Sequence, residues 1–185
     1  MNKFDIIKKV LERLTTELVV TNLGAISKLA YWAGDRAENF YMTGSMGLAT
    51  SISLGLAIGQ ERKVICFEGD GSMLLNMGSL ATIGSINPSN LVIFLLDDKV
   101  YQSTGGQKPL SNSKVNWVKL AEANGIKAYE CVNYEDLGKI VEETLSIDRC
   151  CLVHVVVTES VDKDRIPITP VEIKNRFVEN MRKAN

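Results

Sequence analysis

The sequence predicts an α/β protein with a doubly wound, six-stranded, mainly parallel sheet and helices on both faces. Apolar runs of strand length alternate with segments whose apolar residues recur at helical spacing. The helical segments supply the crossover connections that parallel strands require. The chain has 185 residues, of which 45% are hydrophobic and 23% charged, and this suits one domain over 1–185.

The first half of the chain sets up this alternation. Phe4, Ile7, Val10 and Leu14 fall on one face of a helix. A polar, glycine-containing turn over 21–24 marks the start of the next helix. In chain order, we predict a helix over 4–14, a strand over 17–20, a helix ending near Trp32, a strand over 39–42, a helix over 46–59 and a strand over 63–68.

The second half continues the pattern after a helix stop signal, Asn87-Pro88-Ser89-Asn90. A polar stretch over 99–114 interrupts it, and loops of this length in compact domains tend to be functional. In chain order, we predict a helix over 73–86, a strand over 91–96, a helix over 117–124, a strand over 127–132, a helix over 135–145, a strand over 150–157 and a C-terminal helix over about 171–183.

The helix predicted over 46–59 is rich in small residues, including Gly47, Gly55 and Gly59. Each interior glycine costs about 1 kcal/mol relative to alanine, so such a helix usually needs another backbone close by. This helix and the one over 73–86 are therefore candidates for a subunit interface. Close packing inside the domain is an equal alternative.

Charge and cysteine usage exclude several classes of protein. The net charge of −1 gives no electrostatic basis for binding nucleic acid or an anionic membrane. No apolar stretch is long enough to cross a bilayer. The cysteines have no metal-binding spacing, so buried, reduced thiols and a cytoplasmic location are expected; they are Cys66, Cys131, Cys150 and Cys151.

Acidic residues follow two apolar runs that are consecutive in the chain. The strand over 63–68 leads into Gly69-Asp70-Gly71-Ser72, and the strand over 91–96 ends in Asp97 and Asp98. Neighbouring parallel strands place such residues at the carboxyl edge of the sheet, where open α/β folds bind ligands. Mg²⁺ takes one or two carboxylates together with phosphate oxygens. We therefore predict a metal–phosphate site with Asp70, Asp98 and a backbone carbonyl near Val100 as ligands.

Several of these residues would also suit purely structural roles. Asp70 could serve as a helix cap, and Asp97 and Asp98 could merely end a strand. Asn22 and Gly24 lie at another strand-to-helix turn on the same edge, where diphosphate contact and helix capping are equally good interpretations. His154, the only histidine, lies inside an apolar run, so a structural role is favoured.

Together these motifs resemble the thiamine-diphosphate enzymes. Their metal–diphosphate motif is Gly-Asp-Gly followed some 26 residues later by an asparagine. Gly69-Asp70-Gly71 matches the first part, and position 98 corresponds to the asparagine. The resemblance implies that Gly69, Gly71 and Ser72 contact the diphosphate of thiamine diphosphate, with Mg²⁺ between. The segment Thr43-Gly44-Ser45-Met46-Gly47 resembles the one beneath the cofactor in that family. There, the carbonyl at Gly44 holds the aminopyrimidine and the side chain at Met46 supports the bent cofactor.

The tract over 96–107 is most similar to the phosphonopyruvate and sulfopyruvate decarboxylases, and the run over 39–59 resembles the sulfopyruvate decarboxylase β subunits. The resemblance implies decarboxylation of sulfopyruvate to an aldehyde, with phosphonopyruvate as the second choice. A 2-oxo acid:ferredoxin oxidoreductase β subunit is an alternative, against which the scattered cysteines argue. A subunit that binds the cofactor without catalysis is the non-enzyme alternative.

Two features depart from the family pattern. Asp98 stands where the family has asparagine, which adds a negative charge beside a diphosphate. The chain also holds only the diphosphate-binding half of a complete enzyme. The resemblance therefore implies a pyrimidine-binding, α-type partner subunit of similar size that supplies the activating glutamate. No catalytic residue of this chain is predicted.

Overall fold

The computed structural model describes residues 1–101, 105–109, 114–159 and 161–183, and a parallel sheet forms its centre. In these ranges the strands are β1 (Leu18–Thr21), β2 (Asn39–Tyr41), β3 (Val64–Gly69), β4 (Leu91–Asp97), β5 (Lys127–Cys131) and β6 (Cys151–Val156). Their order across the sheet is β2-β1-β3-β4-β6-β5, and every neighbouring pair is parallel. The predicted six-stranded α/β fold is confirmed, and the sheet is wholly rather than mainly parallel.

Helices cover both faces of this sheet. They are α1 (Lys3–Leu11), α2 (Ala25–Ala33), α3 (Ala49–Gly59), α4 (Asp70–Leu75), α5 (Gly78–Ile86), α6 (Trp117–Ala123), α7 (Tyr134–Ser146) and α8 (Pro170–Lys183). Side chains of α1, α2 and α7 form one apolar cluster with one face of the sheet. Side chains of α3, α5 and α6 form a second cluster with the other face. The doubly wound arrangement follows from these two layers.

The two central strands carry no alternation of apolar and polar residues. Every residue of β3 and β4 is buried, because helices cover both faces of a parallel sheet. The four cysteines are buried and free, as predicted, and the cytoplasmic location stays a prediction. None of the helices in the described part of the chain is long and apolar enough to cross a membrane.

Three predicted helix boundaries were wrong. The helix expected over 73–86 is two helices, α4 and α5: Asn76, with a φ of −139° and a ψ of 47°, lies outside the helical region, and its amide donates to the Gly47 carbonyl at 2.8 Å. The helix expected from residue 46 starts at Ala49, since Gly47 has a φ of 91°, outside the helical region. The first helix ends at Leu11 rather than at residue 14.

The turn expected at 69–72 is also shorter than predicted. Strand β3 continues through Gly69, and α4 begins at Asp70 with no loop between them. The register pairs Gly69 with Leu96 of β4, so Asp70 lies level with Asp97, the last residue of β4. The two acidic segments are therefore neighbours, as the sequence predicted.

Candidate functional site

A cleft lies at the carboxyl edge of the sheet, above β1, β3 and β4. Nine of the eleven predicted site residues line it: Asn22, Gly24, Met46, Gly69, Asp70, Gly71, Ser72, Asp98 and Val100. The other two, Gly44 and Ser45, line a neighbouring cleft that also contains Leu48 and Ile173. The structure therefore brings most of the predicted site together, with the 43–47 turn lying between two clefts.

The segment that carries Asp70 is held by buried polar groups. Asp70 is only 2% exposed at the start of α4. Glu68, just before it, accepts a hydrogen bond from the Gly69 N–H at 2.9 Å. Burial raises the pKa of Glu68 to about 7, although the nearby Ser72 hydroxyl and the Gly69 and Thr50 backbone lower it. The Glu68 side chain is therefore hydrogen-bonded to the backbone just before Asp70.

Ser72 links the segment to the 43–47 turn. Its hydroxyl oxygen accepts a hydrogen bond from the Gly47 N–H at 2.8 Å, and the side chain is 1% exposed. A Cβ at Gly47 would lie 3.3 Å from the Leu75 Cβ, and Gly47 has positive φ, so glycine is favoured there on both grounds. The hydroxyl of Ser72 therefore joins the start of α4 to the 43–47 turn.

The turn that follows β1 faces the same cleft. Asn22 is 6% exposed, and its side-chain oxygen accepts the Leu23 N–H at 2.8 Å. Its amide nitrogen lies 3.4 Å from where a Cβ on Gly69 would be. Gly24 precedes α2 with a φ of 73°, and its carbonyl accepts the Lys28 N–H at 3.1 Å. Both residues therefore have local structural roles that do not exclude ligand contact.

The two acids after β4 point to different places. The Asp97 Oδ2 lies 2.9 Å from His154 Nε2, while His154 Nδ1 lies 3.4 Å from a Glu130 carboxylate oxygen. The Asp97 side chain is therefore engaged inside the sheet, and the structural role predicted for His154 fits this contact. Asp98 instead lines the cleft and forms an ion pair with Lys3, whose side chain crosses from α1.

Tyr101 closes one side of the cleft. A Cβ on Gly71 would lie 2.2 Å from the Cε1 of the Tyr101 ring, so that ring rests directly on the glycine. Its backbone pairs with Gln107, through a Tyr101 N–H to Gln107 carbonyl bond of 2.8 Å. Residues 102–104, which belong to the tract over 96–107 that resembles the decarboxylases, are outside the described residues.

Three lining or supporting residues were not predicted. Lys3 and Asp98 are 95 positions apart, and no local pattern indicates such a contact. Tyr101 gives no signal without knowledge of how the 99–114 loop folds. Glu68 did carry one, since it is a carboxylate within an otherwise apolar strand.

The donor set fits a hard cation shared with a ligand. Asp70, Asp98 and Val100 line the cleft, and their possible metal ligands are carboxylate and backbone carbonyl oxygens. Among the described residues, no cluster of three or more acidic, histidine or cysteine side chains forms a complete metal cage. Mg²⁺ bound through one or two carboxylates needs phosphate oxygens and water to complete its octahedron. The arrangement is therefore suited to a metal–phosphate complex rather than to a bare ion.

Comparisons with known proteins give a consistent result. The family model for the C-terminal TPP-binding domain of thiamine pyrophosphate enzymes matches residues 26–155. The sulfopyruvate decarboxylase subunit beta of Methanocaldococcus jannaschii is 40% identical over 187 residues, which is 98% of both chains. The phosphonopyruvate decarboxylase of Streptomyces viridochromogenes is 41% identical over 175 residues, covering 90% of this chain and 44% of that protein.

A solved structure supports the fold. The thiamine diphosphate-dependent 4-hydroxybenzoylformate decarboxylase of Rhodococcus jostii RHA1 superimposes with a TM-score of 0.74 at 17% identity. The match covers 86% of this chain and 33% of that one. At this identity the likeness concerns the fold alone.

Proposed function

This chain belongs to the thiamine pyrophosphate enzyme family, as a C-terminal TPP-binding domain, and on that premise we propose that it is the diphosphate-binding subunit of a sulfopyruvate decarboxylase. The observation that carries the proposal is the meeting of Asp70, Asp98 and the 69–72 segment in one cleft. The 40% identity with a sulfopyruvate decarboxylase beta subunit over nearly the whole chain supports the choice of substrate. Residues 1–185 then form one cofactor-binding domain.

We assign roles to the cleft residues from their positions. Asp70, Asp98 and the Val100 carbonyl would hold Mg²⁺, and the backbone of Gly69, Gly71 and Ser72 would bind the diphosphate, with Asn22 and Gly24 beside it. Gly44, Ser45 and Met46 would contact the rest of the cofactor from the neighbouring turn. When bound, thiamine diphosphate supplies the electron sink that 2-oxo acid decarboxylation requires. The residues of this chain would hold the diphosphate and its Mg²⁺ and so orient the cofactor.

The activating glutamate would come from a partner. Among the described residues that line the cleft, the carboxylates are Asp70 and Asp98, and neither is a glutamate. The M. jannaschii relative is named as a subunit. The S. viridochromogenes relative is a chain of which this one spans 44%. We therefore propose an α-type subunit that carries the pyrimidine-binding half.

The face formed by α3, α4 and α5 is our candidate for binding that subunit. A Cβ added at Gly55, Gly59 or Gly78 would meet nothing within 4 Å, so packing inside this chain does not require these glycines. Ile58 is 61% exposed and Leu75 64% exposed on the same layer. Small residues beside exposed apolar ones suit close approach of a second backbone. The interface alternative thus gains support over packing within the domain.

The interface can be tested by charge insertion. Ile58→Lys should prevent co-purification with the α-type subunit encoded in the same genome, as measured by size-exclusion chromatography with light scattering. Val171→Lys is the matched control, because Val171 is 66% exposed on α8. Normal assembly of the Ile58 variant would show that the interface lies elsewhere, without affecting the cofactor assignment.

The cofactor assignment is tested by Asp70→Asn in the assembled complex. We expect Mg²⁺-dependent thiamine diphosphate binding, measured by calorimetry, to weaken about 100-fold or more, because a charged metal ligand is replaced by a neutral one. Asp97→Asn is the matched control, since Asp97 is equally buried but bonded to His154. Equal binding by the Asp70 variant and the wild type would refute the assignment.

Turnover separates the candidate activities. The complex should release CO₂ from sulfopyruvate, and the isolated chain should not, because its cleft lacks the activating group. Phosphonopyruvate is the second candidate, favoured by the 41% identity with a phosphonopyruvate decarboxylase. Faster release from phosphonopyruvate would reverse this order. Cofactor binding with no release from either substrate would favour the non-catalytic alternative.

The ferredoxin oxidoreductase alternative receives no support from the cysteines. Cys66 lies in β3, Cys131 in β5, and the adjacent Cys150 and Cys151 at β6, and all four are buried. Side chains so separated cannot together hold an iron–sulfur cluster in this fold.

A further inference from the structure

Asp98 is the acid that departs from the family pattern, and the structure shows what accompanies it. The Lys3 ammonium donates a hydrogen bond to Asp98 Oδ2, and each side chain is only 8% exposed. Both residues line the cleft that contains Asp70 and Gly71. The sequence raised the problem of an extra negative charge beside a diphosphate. The ammonium group of a buried lysine, Lys3, offsets that charge.

The fold fixes Lys3 in this position. Asn2 caps α1 by accepting the Asp5 N–H at 2.9 Å, so Lys3 begins the helix. Asn2 also bridges to Glu159, and the Met1 carbonyl accepts the Thr158 N–H at 2.9 Å. These bonds attach the start of α1 to the segment that follows β6, at the carboxyl edge of the sheet. The side chain of Lys3 therefore extends into the cleft from a helix start that is held by hydrogen bonds.

Burial makes the two groups dependent on each other. An ion taken out of water without a partner carries a large desolvation penalty, whereas a paired one recovers most of it. The Lys3–Asp98 pair has a net charge of zero, which equals the charge of the asparagine amide found in the family. An ammonium group also carries three donors. One of them is used by Asp98 Oδ2, and Lys3 lines the cleft beside that bond.

We propose that Lys3 and Asp98 act as one ion-paired unit of the diphosphate site. In this unit Lys3 cancels the charge of Asp98, and its ammonium adds a cationic contact for the phosphate oxygens of a diphosphate ester. The inference rests on the proposed function and assigns to α1 a part in cofactor binding. It explains how the site tolerates an aspartate: the charge is compensated by a lysine 95 positions earlier in the chain.

A double-substitution cycle tests the unit, using Lys3→Met, Asp98→Asn and the two combined. Thermal unfolding of the chain without cofactor is the first measurement. Each single change should lower the midpoint by roughly 6 °C or more, because it leaves one charge buried and unpaired. The combined variant should unfold within about 2 °C of the wild type. Strictly additive losses would overturn the proposed coupling.

Binding of Mg²⁺ and thiamine diphosphate by the assembled complex is the second measurement. Lys3→Met should weaken binding about tenfold or more, since Asp98 then repels the diphosphate. The combined variant should recover most of that loss. Lys8→Met is the control, because Lys8 lies on the same helix with its side chain 50% exposed. It should change neither the unfolding midpoint nor the affinity.

The outcomes separate this inference from the proposal beneath it. If the wild-type complex binds no thiamine diphosphate, the proposed function and this inference fail together. If the wild type binds the cofactor and Lys3→Met binds it equally well, only the inference about Lys3 fails.

Discussion

The hydrogen bond from the Gly47 N–H to the Ser72 hydroxyl makes a measurable prediction for Ser72→Ala. The bond is 2.8 Å long and buried, and it joins the 43–47 turn to the start of α4. Alanine leaves the Gly47 N–H without this partner. A buried donor left unsatisfied costs about 1–3 kcal/mol. We therefore expect a loss of about 2 kcal/mol in the free energy of unfolding.

Thermal unfolding followed by circular dichroism measures this loss. For a chain of this size each kcal/mol corresponds to about 2–4 °C, so the midpoint should fall by about 4–8 °C. Ser53→Ala is the matched control. The Ser53 hydroxyl is equally buried but donates to the Ala49 carbonyl at 2.8 Å inside α3. That carbonyl keeps its helical N–H partner, so the control should lose less than about 1 kcal/mol.

Cofactor affinity gives a second measurement for the same variant. Because Ser72 holds the turn that carries Met46, Ser72→Ala should also weaken thiamine diphosphate binding by the complex, about fivefold. The Ser53 control should bind normally. Equal midpoints for the two variants would refute the view that Ser72 holds the two cofactor-binding segments together.

Three further predictions follow from buried groups. Gly71→Ala should disturb the cleft, because its Cβ would lie 2.2 Å from the Tyr101 ring, and Tyr101→Ala combined with it should restore the unfolding midpoint that the single change lowers. Burial raises the pKa of all four thiols, to about 12 for both Cys150 and Cys151, so native protein at pH 8 should react with a thiol reagent at fewer than one site, against four after denaturation. These raised pKa values keep the native thiols protonated, whereas the unfolded thiols ionise near their usual pKa of 9. The free energy of unfolding should therefore fall as the pH rises from about 9 towards 12. A denaturation midpoint that stays constant over this range would contradict the raised thiol pKa values.

Much of the site was predictable because it depends on strand order along the chain. The apolar runs over 63–68 and 91–96 are consecutive, and consecutive parallel strands usually pair. Placing them side by side brings Asp70 level with Asp97 at the carboxyl edge. The glycine and acid residues at the ends of these runs were therefore enough to locate the cleft.

Local detail near the site was less predictable, because side chains outside each element decided it. The break between α4 and α5 depends on the Asn76 amide reaching the Gly47 carbonyl, a contact between segments about 29 positions apart. The start of α3 depends on Gly47, whose positive φ is favoured by the crowding of Leu75. The periodicity of apolar residues alone predicted that both helices extend through these points.

The sequence by itself determined the six-stranded α/β fold, the cleft edge and the acids that face it, since these follow from residue type and order along neighbouring strands. Only the tertiary structure decided which side chains accompany the two acids that follow β4. Asp97 is held by His154 inside the sheet, whereas Asp98 meets Lys3 from the start of α1. The physical reason is burial: a charge withdrawn from water must find its partner wherever the packed chain brings one, and a contact across 95 positions leaves no local pattern in the sequence.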